Sequence, residues 1–266
     1  MSRKPMPCRL LIDPPAKGSW NMAVDEVLLE EVTSSGEPIL RFYQWSRPTL
    51  SLGYFQRAED HALHAASAQA DLVRRLSGGG AILHDQELTY SLILPETHAL
   101  AGDTQKLYDV VHQTLVDLLR NVLNDKHNPW QPELCQPQQP ATSRDEPFLC
   151  FQRRTAGDIL LRPSESSTIA ANHKVVGSAQ RRRRGTVLQH GSILLGTSDF
   201  APEISGISDL AQFDVSATTL RKLFSKKIAA AIQLTLQPAT MTEKICDRAN
   251  HLMKTKYDSD TWTLRR

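Results

Sequence analysis

Three consecutive glycines, Gly78 to Gly80, lie between two strand-like segments and restrict what this part of the chain can form. Residues 72–76 have the character of one strand, and residues 81–83 resume as another. Glycine has no Cβ atom, so its backbone can adopt positive φ and lie directly against a ligand. A simple hairpin turn would explain the glycines equally well, because Gly-Gly pairs are common connections between strands.

Charged residues on both sides of the glycines favour a binding site over a simple turn. Arg74 and Arg75 precede the glycines, and His84 and Asp85 follow them after three apolar residues. Cations, bare backbone N–H groups and a possible proton carrier therefore meet at one place. The run is not a P-loop, since no Gly-Lys-Ser/Thr follows and the next residues resemble a strand. It also lacks the G-x-G-x-x-G spacing of a dinucleotide-binding turn.

The composition narrows the class of protein further. The 266 residues carry 31 lysines and arginines against 29 aspartates and glutamates, so we expect no general affinity for nucleic acids. No apolar run reaches the roughly 20 residues of a membrane span. The N-terminal residues have no apolar signal-peptide core, and we predict a cytoplasmic protein that does not enter a membrane. Four widely separated cysteines form no C-x-x-C pair, so we predict free thiols and no metal site.

The hydrophobic pattern predicts strands in the middle of the chain and helices around them. Residues 106–123 have the clearest helical period, with an apolar stripe along one side. Residues 124–147 are rich in proline and glutamine and predict a surface loop. The length allows one large domain or two small ones, and this order favours the α/β or α+β class with a mixed sheet. The other predicted elements are strands at 8–12, 39–45, 49–52, 88–94, 159–161, 174–176 and 187–195, and helices at 19–32, 217–234 and 241–256.

A lysine and a cysteine are the candidate catalytic residues. Lys174 opens a short strand, and the small residues 177–179 leave space beside it. A lysine in such a space can hold an anion or stabilise a nearby thiolate, but it can also be an exposed residue at a strand end. Cys150 follows the proline-rich segment, and beside Lys174 its thiolate would be a nucleophile. Most lone cysteines, however, are packing residues.

Two further runs each allow two interpretations. His190, between Gln189 and Gly191, is either a hydrogen-bonded core residue or part of a pocket wall. The arginine block 181–184 lies between two predicted strands, in a predicted hairpin loop. It is either a solvated turn or a surface that docks an acidic protein.

Taken together, these runs resemble the family of lipoate-protein ligase A, octanoyltransferases and biotin-protein ligases. The resemblance keeps the same order along nearly the whole chain, and its glycine and lysine runs are highly specific. The matching segments are Asn-Met-Ala-Val-Asp-Glu at 21–26, Arg-Phe-Tyr-Gln-Trp at 41–45, Ser-Leu-Gly-Tyr-Phe-Gln at 51–56, Arg-Arg-x-Ser-Gly-Gly-Gly-x-x-x-His-Asp at 74–85, and Lys-Val-Val-Gly-Ser-Ala-Gln at 174–180.

Within this family, the chain most resembles the cysteine-dependent octanoyltransferases first defined in Gram-positive bacteria. Cys150, followed by Phe151 and placed shortly before the lysine run, indicates this group. The resemblance implies a single catalytic domain over residues 1–266. It also implies a mixed, largely antiparallel central sheet flanked by helices, as in the catalytic domains of class II synthetases and biotin ligases. Two segments depart from the family pattern, because residues 164–168 look like a small insertion and residues 124–147 are unusually long.

The resemblance also implies a reaction that needs no cofactor. An octanoyl group would pass from acyl carrier protein to a lysine of a lipoyl domain, such as the glycine cleavage H protein or the E2 component of a 2-oxoacid dehydrogenase. Cys150 would attack the carrier thioester, and Lys174 would stabilise the thiolate and the oxyanion. The residues expected to contact the substrate are Arg75, Ser77, Gly78, Gly79, Gly80, His84, Gly177, Ser178 and Ala179, with His84 as a wall or proton-relay residue.

Three other functions stay open at this point. An ATP-dependent lipoate-protein ligase would use Lys174 and the glycine run around an acyl-adenylate and would not need Cys150. An octanoyl amidotransferase would move the acyl group between two lipoyl-domain proteins, also through a cysteine thioester. A non-catalytic scaffold of the same fold would bind an acyl group without transferring it.

Overall fold

An eight-stranded mixed sheet forms the main layer of the molecule, and a separate sheet of three strands carries the glycines. The computed structural model describes residues 4–124, 128–137, 146–164 and 171–266. The strands are β1 (Met6–Ile12), β2 (Ile39–Tyr43), β3 (Thr49–Leu52), β4 (Asp71–Arg74), β5 (Ile82–His84), β6 (Glu87–Leu94), β7 (Trp130–Leu134), β8 (Ile159–Pro163), β9 (His173–Arg183), β10 (Thr186–Leu194) and β11 (Leu234–Ala239).

The glycine run and the lysine run belong to different sheets. The glycines lie between β4 and β5 of the small sheet, and the lysine run lies on β9 of the large sheet. The large sheet has the order β11-β1-β2-β6-β10-β9-β8-β7, and the small sheet has the order β4-β3-β5. β1 pairs in parallel with both β2 and β11, whereas the other neighbours in the large sheet are antiparallel. In the small sheet β3 pairs in parallel with β4 and antiparallel with β5.

Helices cover both faces of the large sheet. They are α1 (Gly18–Ser35), α2 (Thr104–Val122), α3 (Ile207–Ala211), α4 (Ala217–Ala231), α5 (Glu243–Leu252) and α6 (Asp260–Thr263), and a π-helical turn, Met253–Tyr257, follows α5. Apolar residues of α2 and α4 form one core with the sheet, and those of α1 and α5 form a second. Because both faces are covered, β6 and β10 have no exposed residue. The predicted mixed, largely antiparallel sheet flanked by helices is confirmed.

The prediction of a surface loop over 124–147 was wrong for its middle part. Residues 130–134 form β7, which pairs antiparallel with β8 at the edge of the sheet. Alternate residues of β7, Trp130 and Pro132, are buried, and the Trp130 ring meets the ring of His173 at 5.3 Å between centroids. Proline is tolerated here because an edge strand leaves half of its N–H groups unpaired. Residues 125–127 and 138–145 lie outside the described residues, as does 165–170, which covers most of the insertion predicted at 164–168.

Two further boundaries differ from the prediction. The helix predicted over 217–234 ends at Ala231, and the left-handed residue Gln233 turns the chain into β11. The arginine block is not confined to a hairpin loop, since Arg181 to Arg183 are the last residues of β9. The turn itself is Arg184-Gly185, with φ of 47° and 79°, as a two-residue hairpin connection requires.

Candidate active site

The glycine loop, Gly78–Gly80, is held in shape by the buried side chain of Arg75. This guanidinium donates to the carbonyl oxygens of Gly78 and Gly80, each at 2.7 Å, and to the carbonyl oxygen of Ser51 at 2.7 Å. Gly79 has a φ of +92°, which favours glycine. Burial lowers the pKa of Arg75 to about 10, so the side chain still carries its charge at neutral pH. The loop is therefore a fixed structure, with Arg75 as its internal brace.

Cys150 is bonded through its backbone to Ala81, the residue that follows the glycine loop. Its backbone N–H donates to the carbonyl oxygen of Ala81 at 2.7 Å, and the N–H of Ala81 donates to Phe148 at 3.3 Å. This bridge forms over a sequence separation of nearly 70 residues, and it places the half-buried thiol beside the loop. The position of Cys150 thus depends on backbone contacts that do not involve its own side chain.

Lys174 and Cys150 meet, as predicted. The Lys174 ammonium, Nζ, lies 3.5 Å from the Cys150 sulfur and 3.2 Å from the Cys150 carbonyl oxygen. Its third partner is the Asp158 carboxylate, at 2.8 Å, and both side chains of this ion pair are buried. The small residue Gly177 leaves room for the lysine, because a Cβ added there would lie 2.8 Å from Lys174 Cε. The arrangement can stabilise a thiolate at Cys150 and negative charge next to it.

Two hollows, an open cleft and a narrow inner pocket, lie at this site. Together they are lined by all but one of the residues predicted to contact substrate. An open cleft of about 850 Å³ is lined by the glycine loop, Cys150, Lys174, Ser178 and Ala179, among others. A narrow inner pocket of about 20 Å³ is lined mainly by apolar atoms and includes Arg75, Ile82, His84, Gly177, Ala179 and His190. Ala179 borders both hollows. Ser77 lines neither, because it is fully buried.

The two histidines of the inner pocket have both ring nitrogens occupied. His190 contacts Ser77 Oγ through Nε2 and lies 3.3 Å from an Asp25 carboxylate oxygen through Nδ1. His84 contacts Ser51 Oγ at 2.7 Å and Glu87 at 2.9 Å, and its ring stacks on Trp45 at 3.9 Å. Both sequence interpretations of His190 therefore hold, since it is hydrogen-bonded and also forms a wall. Burial lowers the pKa of His84, against the opposing effect of Glu87.

Sequence reasoning missed the polar residues beneath the lysine. His112 of α2 bonds the carbonyl oxygen of Gly157 through Nδ1 at 2.7 Å, so this nitrogen carries the proton. Its Nε2 therefore accepts from the Ser178 hydroxyl, at 2.6 Å. Burial lowers the pKa of His112 to about 3, which keeps the ring neutral. Ser178 is thereby fixed in the cleft wall, and Tyr90 makes a further 2.7 Å contact with it.

Most of this chain matches a known protein family. Residues 17–230 match the model of the lipoyl protein ligase A/B catalytic domain. The chain belongs to this family. The match includes the glycine loop, Cys150 and Lys174, so the family assignment rests on the same part of the chain as the site.

Relatives agree with the family, and solved structures share the fold. The protein named octanoyltransferase LipM in Kyrpidia tusciae is 34% identical to this chain, over 97% of this chain and 98% of the relative. The protein of that name in Staphylococcus aureus is 32% identical, over 93% and 94%. A lipoate-protein ligase A solved with ATP has a TM-score of 0.69 at 22% identity, covering 97% and 99%. A bi-partite lipoate protein ligase from Thermoplasma acidophilum gives 0.65 at 20% identity, covering 98% and 97%.

Two absences among the described residues concern membranes and metal ions. None of their helices is long and apolar enough to cross a bilayer. No three His, Cys, Asp or Glu side chains among them are grouped as ligands for a metal ion.

Proposed function

We propose that this family member is an octanoyltransferase of lipoate biosynthesis, and that it works through a thioester on Cys150. The observation that carries the proposal is the 3.5 Å contact between the Cys150 sulfur and the Lys174 ammonium in the wall of an open cleft. Relatives that share about a third of their residues with this chain over nearly its full length are named octanoyltransferases. A lipoate ligase that activates its substrate with ATP has no need of this thiol.

In the first half of the reaction, the Cys150 thiolate attacks the carbonyl carbon of octanoyl-acyl carrier protein. A new C–S bond forms, the C–S bond to the carrier breaks, and the carrier leaves as a thiolate that takes up a proton. The Lys174 ammonium stabilises the attacking sulfur and the negative charge on the carbonyl oxygen. In the second half, the neutral amine of a lipoyl-domain lysine attacks the acyl-enzyme. An amide forms, Cys150 leaves, and the amine proton passes to solvent.

The inner pocket is the proposed place for the hydrocarbon chain. Its polar groups are occupied by the hydrogen bonds of His84 and His190, so the surface that faces inward is mainly apolar. Gly177 and Ala179 line the pocket with little side-chain volume, and Gly177 is the lining residue over which the Lys174 side chain passes. At about 20 Å³ the pocket holds roughly one water, so binding of an octanoyl chain requires its walls to move apart.

The test is intact-mass spectrometry of the protein after incubation with octanoyl-acyl carrier protein in the absence of ATP. We expect a mass gain of one octanoyl group, which disappears when a lipoyl-domain protein is added and appears on that protein. An acyl-adenylate formed only with ATP and free acid would instead identify a ligase. Acylation by an octanoylated lipoyl-domain protein but not by the carrier would identify an amidotransferase, and octanoate retained without a covalent bond would identify a scaffold.

We place this reaction in the cytoplasm. All four cysteines, Cys8, Cys135, Cys150 and Cys246, are free. A reducing compartment maintains such thiols, and the proposed mechanism depends on one of them.

The proposed donor-docking surface is Arg181 and Arg182. Neither has a carboxylate partner among the described residues, whereas Arg183 is paired with Glu30. Arg181 lies over the ring of Tyr54, at 5.3 Å, and the neighbouring Phe55 is 64% exposed, with a ring carbon that would lie 3.7 Å from a Cβ added at Gly78. Unpaired cations beside a half-buried tyrosine and an exposed phenylalanine, next to the glycine loop, suit an acidic protein that carries an apolar segment.

Reversing both charges, in Arg181→Glu with Arg182→Glu, should weaken binding of the acidic carrier by about 10-fold or more at low salt. The dependence of binding on ionic strength should also become shallower, because fewer opposite charges are brought together. Titration of the carrier at several salt concentrations measures both effects. The matched control is Lys222→Glu with Lys226→Glu on the exposed side of α4, which changes the net charge equally. Equal losses in the two double variants would reject the surface.

A further inference from the structure

We propose that Asp158 is a positioning residue for acyl transfer, which holds the Lys174 ammonium against Cys150. This inference rests on the proposed thioester chemistry at Cys150. Sequence reasoning gave Asp158 no role, since a single aspartate before a strand is an ordinary turn residue. In the structure it is the carboxylate bound to the lysine that the reaction needs.

The three hydrogens of the Lys174 ammonium have three partners in the structure. One is the Asp158 carboxylate at 2.8 Å, one is the Cys150 carbonyl oxygen at 3.2 Å, and one is the Cys150 sulfur at 3.5 Å. The carboxylate is the shortest of the three contacts and the only permanent charge among them. A lysine side chain has a flexible four-carbon stem that does not fix the position of its ammonium. A fixed anion at the end of the stem therefore decides where the ammonium lies.

Asp158 is itself held firmly. One carboxylate oxygen, Oδ2, also accepts from the Thr155 N–H at 2.8 Å, and the other, Oδ1, accepts from the Tyr108 hydroxyl at 3.2 Å. Its backbone is tied on both sides, because its carbonyl oxygen accepts from the Cys135 N–H at 2.7 Å and its N–H donates to Thr155 at 3.0 Å. A rotation of the aspartate away from the lysine would break several of these bonds at once.

The ion pair does more than stabilise the fold, because it also holds the Lys174 side chain in place. The side chains of Lys174 and Asp158 are only 2% and 3% exposed, and an ammonium buried this deeply is costly without a paired anion. Without the carboxylate, the flexible lysine would be more stable if its ammonium turned into the open cleft, where water can solvate it, and away from the sulfur. Asp158 therefore supplies orientation, and its loss should lower the rate of Cys150 acylation more than it alters binding of the carrier.

The competing explanation is that Asp158 only holds its own turn before β8, through its bonds to Thr155, Tyr108 and Cys135. It predicts that removal of Asp158 harms the protein whether or not Lys174 is present. The positioning role predicts the opposite, because the effect must pass through the lysine. A double-mutant cycle separates the two.

The cycle uses Asp158→Asn, Lys174→Ala and the double variant, with two measurements. The first is the single-turnover rate of Cys150 octanoylation by octanoyl-acyl carrier protein. The second is the rate of alkylation of Cys150 by iodoacetamide, followed on the peptide that contains it. We expect Asp158→Asn to slow octanoylation by about 10–100-fold with little change in the carrier concentration for half-maximal rate. Added to Lys174→Ala, it should cost less than about 2-fold more in either measurement.

Asparagine keeps the size of the side chain, its oxygen can accept from the Thr155 N–H, and its NH2 group can donate to the Tyr108 oxygen. The variant should therefore fold, as thermal unfolding will show. If it does not fold, Asp158→Glu enters the same cycle with the same expectation of non-additive rates. Fully additive losses, or a wild-type rate in the single variant, would overturn the positioning role. Failure of the wild-type protein to take octanoate from the carrier would refute the proposed function instead, and the alkylation cycle would still test the link from Asp158 to Cys150.

Discussion

Replacing Cys150 by alanine should abolish octanoyl transfer, with a rate at least about 10⁴-fold below that of the wild type. The reason is that the proposed reaction runs through a bond to this sulfur, and no other cysteine lies in the cleft wall. Loss of a nucleophile removes the covalent route altogether, whereas loss of a neighbouring group only slows it. Product formation on a lipoyl-domain protein and intact mass of the enzyme both measure the effect.

Cys246→Ala is the matched control for this variant. Cys246 is also free and half-buried, but it lies on α5, among residues that do not line the cleft. We expect this variant to accept octanoate at the wild-type rate. Substantial transfer by Cys150→Ala would refute the thioester mechanism, while the family assignment would stand.

The second large effect concerns Gly53, which lies under the glycine loop. A Cβ atom on residue 53 would overlap the backbone carbonyl oxygen of Gly79, and a backbone group cannot move aside as a flexible side chain can. Gly53→Ala should therefore displace the loop beside Cys150. We expect the free energy of unfolding to fall by about 1–3 kcal/mol. Octanoyl transfer should slow by about 10²-fold, because a small shift of the loop misaligns the thioester.

Urea unfolding and transfer rates measure the two effects of Gly53→Ala. Gly102→Ala provides the comparison, since an added Cβ there meets nothing within 4 Å and the residue is exposed. It should change the free energy of unfolding by less than about 0.5 kcal/mol. If the two alanine variants behaved alike, close contact between Gly53 and the glycine loop would not be a requirement of the active protein.

Local patterns in the sequence were sufficient to predict most of the residues that come together at the candidate site. The glycine loop is recognisable because absent side chains and flanking charges occur together within twelve residues. Lys174 is recognisable because small residues follow it at short spacing, and Gly177 proves to be the one that the lysine side chain crosses. In both cases the residues that define the feature are neighbours in the chain.

The residues that the sequence did not reveal act through long-range contacts. Asp158 is 16 positions away from Lys174, and nothing in its local sequence distinguishes it from a turn residue. His112 occupies the buried side of an amphipathic helix, where a histidine is usually a satisfied core residue. The sequence predicts no strand at β11, because its partner β1 is more than 200 residues away. Pairings over such distances depend on the whole fold, and a single sequence carries no sign of them.

The bond from the amide of Cys150 to Ala81 limits how this protein can handle a tetrahedral intermediate. In serine proteases the nucleophile's own main-chain N–H helps to neutralise the negative oxygen. Here that donor is already committed, so neutralisation has to come from elsewhere, and Lys174 is the cation in contact with the sulfur. In the proposed reaction the incoming acyl group would therefore have to turn its carbonyl oxygen toward the lysine side of the cleft.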